Sequence, residues 1–130
     1  MSQTYMLFTY GTLLPGEIRH AILTEAGAHR LGPATTEPGY QLLDLGAFPA
    51  LVKAKLGQVV GELYEIDQAT LDYLDRIEGH PHFYRREPIF LDPTSSRLLG
   101  GRIAISYFGR QATDRMDHLP VIASGDWRNR

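Results

Sequence analysis

The sequence predicts an α+β fold: a small mixed β-barrel of about six or seven strands with two or so helices packed outside it. Three observations carry this. Thirteen glycines and eight prolines are spread along 130 residues and cut the chain into short segments, the punctuation of strands and tight turns. Val59–Ile66 alternates between two faces, as a strand does. Only two segments carry helical periodicity, and they do not alternate regularly with the strands, which excludes a doubly wound parallel sheet.

Tyr5–Tyr10 is aromatic and apolar on both faces and reads as a buried first strand. Glu17–Ala26 follows as a short helix, with Ile18, Ala21, Ile22 and Leu23 as its apolar face, an acidic residue at its start and Gly27 at its stop. His29–Leu31 and Ala34–Thr36 read as one broken strand, and Tyr40–Leu45 and Ala50–Val52 as two more. Asp67 is an N-cap for a helix over Gln68–Glu78, whose stripe is Leu71, Leu74 and Ile77. Gly79 and Pro81 end it. Pro88–Leu91 and Arg102–Phe108 are the last strands, joined through a surface turn at Asp92–Ser96.

Length and composition narrow the function classes. A chain of this size is expected to form a single domain over residues 1–130 without a disulfide or metal staple. Without cysteine there is no thiolate nucleophile, Cys-type zinc site or iron–sulfur cluster. The net charge of -2 supplies no basic field for a nucleic acid. No apolar run approaches the roughly 20 residues of a membrane span. The first residues lack the basic region of a signal peptide, so a cytoplasmic protein is expected. The composition leaves the oligomeric state open.

Glu78 is the most anomalous residue. It sits at the edge of the apolar stripe and at a helix C-terminus, where the macrodipole disfavours a negative charge. A carboxylate held against desolvation and dipole has a raised pKa, which suits a general acid/base. The alternative is a solvated Glu78 paired with Arg85 or Arg86. Tyr10-Gly11-Thr12-Leu13 links the first strand to the first helix: either a turn whose N–H groups face an anion or carbonyl, or an ordinary connection. Glu62 is a second acidic candidate, read as a structural or pocket-wall residue. His80 and His82 flank Pro81 without a third ligand, so they read as surface histidines and no metal site is expected. Ser124 lies in no nucleophile elbow. The arginines are interleaved with acids and read as solvated surface.

In chain order, Tyr10-Gly11-Thr12-Leu13, Gly61–Asp67, Leu74–Gly79, Tyr84-Arg85-Arg86 and Ser124-Gly125-Asp126-Trp127 resemble the γ-glutamylcyclotransferase-like superfamily. The run Glu78–Arg86 is most similar to the γ-glutamylamine cyclotransferase branch, and the tail to its small bacterial relatives. The resemblance implies the same small mixed barrel and an intramolecular reaction, in which the α-amino group of a γ-glutamyl compound attacks its own γ-carbonyl and releases 5-oxoproline and an amine. It implies Glu78 as the proton carrier and the N–H groups of Gly11, Thr12 and Leu13 as the cradle of the glutamyl moiety. Tyr10, Tyr84 and Tyr107 would line the pocket. The partner would be a small γ-glutamyl molecule, with no metal or organic cofactor. Phe48-Pro49 and the loop 109–120 would shape leaving-group specificity. The competing reading is a non-catalytic module that binds a γ-glutamyl-type metabolite.

Overall fold

The computed structural model describes residues 3–110 and 118–130. Seven strands form one mixed sheet: β1 (Thr4–Thr9), β2 (His29–Thr35), β3 (Tyr40–Asp44), β4 (Pro49–Lys53), β5 (Val60–Asp67), β6 (Tyr84–Ile89) and β7 (Ala104–Gly109). The strand order is β2-β5-β1-β7-β4-β3, with β6 added beside β7. The helices are α1 (His20–Glu25), α2 (Gln68–Ile77) and a single turn, α3 (Pro93–Ser96), followed by a 3-10 turn over Arg97–Leu99. A further 3-10 turn, Trp127–Asn129, lies at the end of the described residues. Barrel describes the sheet only loosely, because β2 and β3 end the pairing order without pairing with each other.

Side chains alternate between two buried clusters, as the two-residue strand period requires. Met6, Phe8, Leu63 and Phe108 join one cluster, to which all seven strands contribute, so the sheet wraps around it. Leu7, Tyr64, Ile66 and Tyr107 join the other, beneath Leu71 and Leu74 of α2. The Asp67 carboxylate caps α2 by accepting from the Thr70 N–H at 2.8 Å.

β7 positions the site. β6 pairs along its whole length on one edge, so β1 and β4 share the other. β1 runs parallel to it through Met6↔Ala104 and Leu7↔Ile105, and β4 takes over at Leu51↔Phe108. Between these contacts β1 and β4 diverge. A crevice where neighbouring strands part is where sheet proteins commonly hold ligands.

Four segments differ from expectation. The first helix is shorter than Glu17–Ala26. Pro15-Gly16 turns the chain, with Gly16 at φ 83°, and the Arg19 N–H returns to the Thr12 carbonyl at 2.8 Å. Ile18 is consequently 88% exposed, and Leu23 alone of that face is buried. β2 is continuous, with a register shift between Arg30 and Gly32. It carries Pro33, which lacks a ladder donor, at the end of the sheet order, where that lack is tolerated. β6 begins at Tyr84, four residues before Pro88, because its exposed and half-buried charged residues hide the strand pattern. Asp92–Ser96 is a helical turn: the Asp92 carboxylate accepts the Ser95 N–H at 2.7 Å and Pro93 sits at the first turn. Residues 111–117 of the loop expected to shape specificity lie outside the described residues.

Candidate active site

Glu78 is the C-cap of α2, held by its N–H to the Leu74 carbonyl at 2.9 Å. Gly79 follows with φ 68°, and a side chain there would press on Cβ of Phe83 at 3.2 Å. The turn reverses the chain, so that the Tyr84 N–H reaches the Glu78 carbonyl at 3.2 Å. Glu78 and Tyr84 thereby enter the same cavity of about 110 Å³ at the divergence of β1 and β4. That volume is of the same order as a cavity that holds a benzene ring.

The seven residues that the resemblance places in the site line this cavity: Tyr10, Gly11, Thr12, Leu13, Glu78, Tyr84 and Tyr107. The tyrosines are fixed by their hydroxyls. Tyr10 donates to the Tyr107 carbonyl at 2.6 Å, Tyr84 to the Pro49 carbonyl at 2.7 Å, and Tyr107 to the Asp75 carboxylate at 2.6 Å. Burial first, and the Glu78 charge among the further causes, push all three phenols above their ordinary range, so they stay protonated at neutral pH.

Among the described residues the Glu78 carboxylate has neither a hydrogen bond nor an ion pair. The arginines considered as partners are engaged elsewhere: Arg85 with Glu87 at 2.9 Å and Arg86 with Asp75 at 2.9 Å. Burial pushes the Glu78 carboxyl up, and among the described residues the positive charge of Arg19 opposes it. The N–H groups of Gly11, Thr12 and Leu13 likewise find no acceptor among the described residues, although the loop is braced by Leu14 N–H on the Gly11 carbonyl at 3.0 Å. A Cβ on Gly11 would come within 2.8 Å of Cγ of Pro49, so the strand-to-loop passage requires glycine. The cavity lining therefore combines, among the described residues, a carboxylate without a partner, a loop whose N–H groups have no acceptor, and aromatic rings. That set can take an ammonium at one end and a carboxylate or carbonyl at the other.

Glu62 lies outside the cavity. Arg30 grips both its oxygens at 3.0 and 3.1 Å, and the Tyr64 hydroxyl donates at 2.9 Å. His80 is a half-buried structural residue rather than a surface one: its Nδ1 accepts the Arg86 N–H at 3.0 Å. Arg19 and Phe83 also line the cavity, and the sequence reading singles out neither; Arg19 is the charged one. It was counted among solvated arginines, and the signal that would have found it is the Pro15-Gly16 turn, which folds residues 17–19 back over Thr12.

The family model "Gamma-glutamyl cyclotransferase, AIG2-like" matches residues 7–129. A Vibrio cholerae protein provisionally named as a gamma-glutamylcyclotransferase is 39% identical over 126 residues, 97% of each chain. The gamma-glutamylaminecyclotransferase of Bos taurus is 36% identical over 88 residues, 62% of this chain and 52% of that one. The crystal structure of an AIG2-like protein from Mus musculus superposes with a TM-score of 0.73 at 25% identity, covering 91% of this chain and 85% of that one.

Proposed function

This chain belongs to the gamma-glutamyl cyclotransferase, AIG2-like family, and on that premise we propose that it cyclises a γ-glutamyl compound to 5-oxoproline with Glu78 as general acid/base. The observation that carries the reading is the half-buried Glu78 carboxylate, unpartnered among the described residues, in a cavity shared with the Gly11–Leu13 loop.

The substrate's α-ammonium pairs with Glu78, and its α-carboxylate rests on the N–H groups of Gly11, Thr12 and Leu13. Glu78 removes one proton and frees the amine. The amine nitrogen attacks the γ-carbonyl carbon and a new C–N bond closes the five-membered ring. As the original C–N bond breaks, Glu78 returns its proton to the departing nitrogen. The ring nitrogen sheds its second proton to the released amine, which leaves as an ammonium ion. No water or oxidant is consumed, and Glu78 ends as it began. Nucleophile and carbonyl share one molecule, so the protein supplies folding of the substrate and proton transfer. Proton transfer of this kind contributes roughly 10²–10⁴-fold. Tyr10, Tyr84 and Tyr107 keep their hydroxyls on internal acceptors and serve as walls.

The test is incubation with glutathione, γ-glutamyl amino acids and γ-glutamyl-ε-lysine, following 5-oxoproline by mass spectrometry. Release by the wild type and its loss in Glu78→Gln are expected. Unchanged release by Glu78→Gln removes Glu78 from the mechanism. Ligand-induced thermal shifts without release identify a binding module instead.

A further inference from the structure

The interior of the cavity matches both charges of a glutamyl moiety: Glu78 takes the ammonium and the free N–H groups of the Gly11 loop take the carboxylate. One charge in the cavity wall is then left over. Arg19 lines the cavity, is exposed, and makes no guanidinium hydrogen bond or ion pair among the described residues. An exposed residue that also lines a cavity stands at its mouth. The leaving group of any γ-glutamyl substrate must point there, since it alone varies in size while the glutamyl end is buried against Glu78.

Another part of the cavity lining is aromatic. Phe83 is 49% exposed, and its ring meets Tyr84 edge-on with centroids 5.0 Å apart. Phe48 packs against Phe83 at 6.2 Å and 67°. An edge-to-face cluster of this kind is pre-ordered and presents ring faces to whatever passes out of the cavity. An exposed phenylalanine at the mouth of a cavity is surface that a ligand can cover. A departing amine therefore meets one cation and one apolar wall.

We infer that Arg19 and the Phe48–Phe83 wall select the leaving group, and that the substrates are γ-glutamyl amino acids whose released amino acid carries a free carboxylate beside an apolar or aromatic side chain. The inference rests on the cyclotransferase reading and adds to it the half of the substrate that the family relationship leaves open. A cationic or uncharged leaving amine lacks the Arg19 partner, and a cationic one also meets like charge. Arg19 acts here as a specificity residue: it touches the part of the substrate that departs and takes no proton.

The decisive comparison is γ-glutamyl-phenylalanine against γ-glutamyl-phenethylamine, which differ only in the leaving-group carboxylate. The wild type should favour the former by roughly tenfold in kcat/KM, between the few-fold effect of a solvated pair and the hundredfold of a desolvated one. The difference should fall mainly in KM. Arg19→Ala should erase that preference by weakening the phenylalanine compound alone, and Arg19→Lys should keep part of it, because lysine holds the charge without the planar fork. Phe83→Ala should reduce the preference for γ-glutamyl-phenylalanine over γ-glutamyl-alanine. Equal turnover of the phenylalanine and phenethylamine compounds by the wild type overturns the inference. So does an Arg19→Ala variant that loses both to the same degree, which would place Arg19 on the shared glutamyl end. If neither these compounds nor γ-glutamyl-ε-lysine release 5-oxoproline, the cyclotransferase reading falls and the inference with it.

Discussion

Glu62 and Glu78 are the same residue in opposite circumstances. Glu62 sits mid-strand on β5 with its side chain only 6% exposed, yet every electrostatic demand is met: Arg30 on both oxygens, the Tyr64 hydroxyl, and Arg128 at 4.0 Å. Burial alone would raise its pKa, but these partners outweigh it and hold the carboxyl below the ordinary glutamate range. Tyr64 is pushed up to about 12 by burial and by that same carboxylate, so it remains a donor. Glu78 is half-buried with no bonded partner among the described residues, and its carboxyl is pushed the other way. Burial alone, then, does not set the direction in which a carboxylate's pKa moves. What separates the two is whether the described residues bond the carboxylate, as Arg30 and Tyr64 bond Glu62, or leave it without a bonded partner, as at Glu78, where we propose that a substrate ammonium sits.

The largest test of this contrast is a matched pair of substitutions. Glu78→Gln should cut kcat by roughly 10²–10⁴-fold. Its melting temperature should hold or rise, since a half-buried carboxylate with no bonded partner among the described residues is removed. Glu62→Gln should leave kcat per folded molecule unchanged. If both variants lose activity with equal loss of stability, the distinction collapses.

pH sharpens the contrast, because the two shifts have opposite signs. For Glu78 the native carboxyl holds its proton to higher pH than the unfolded chain. Stability therefore falls as pH rises through the window between the ordinary glutamate pKa and the raised one. For Glu62 the native form binds fewer protons. Its contribution is complete above the ordinary pKa and is lost as pH falls through the depressed value. In catalysis, kcat/KM should rise with pH across an acid limb set by Glu78, at a midpoint above the ordinary glutamate range. A limb at or below that range, measured on the free enzyme, would mean that Glu78 is solvated.

Glu62→Gln should cost about 1–2 kcal/mol at neutral pH, because the Arg30 side of the pair is half open to water and Tyr64 can still donate to the amide oxygen. The difference from wild type should vanish in acid, once Glu62 is protonated in both states. Chemical denaturation at two pH values reads this directly. A constant difference at both would assign the loss to packing rather than to charge.

The contrast also explains what the sequence made legible. Glu78 stood out because one local pattern, a carboxylate at the end of an apolar stripe, carried the anomaly. The strand alternation of Val59–Ile66 and the Asp67 cap were equally local and fall where expected. Arg19 and Arg30 were not legible, because each acquires its role from a long-range placement. Arg30 reaches Glu62 across the irregular β2–β5 ladder, and Arg19 reaches the cavity through a turn that breaks the expected helix. β6 was read short for a related reason. Its charged residues Arg85, Arg86 and Glu87 are paired with one another, with Lys53 and with Asp75, which hides the strand under a polar pattern.

The smallest expected effect concerns what holds the Gly11–Arg19 loop in place. Trp127 is 1% exposed within the inner cluster, and its indole N–H donates to the Glu17 carboxylate at 2.7 Å. The tail that carries it is docked on the sheet, with the Val60 N–H on the Gly125 carbonyl at 2.8 Å and the Ile122 N–H on the Leu42 carbonyl at 2.8 Å. Arg130 closes the indole from outside, its guanidinium 3.5 Å from the ring centre. Glu17 is thus the point at which the rigid interior grips the loop that carries both the N–H donors and Arg19. Glu17→Ala leaves the indole donor without its acceptor, and water can take part of that place because Glu17 is only half-buried. The cost should be about 1 kcal/mol in stability, with KM rising roughly two- to threefold. kcat should be little changed, because Glu78 is anchored separately on α2. Glu17→Gln keeps an acceptor oxygen and should restore KM. If Glu17→Ala lowers kcat as much as it raises KM, and Glu17→Gln does not rescue, the loop and the Glu78 carboxylate are coupled rather than independently anchored.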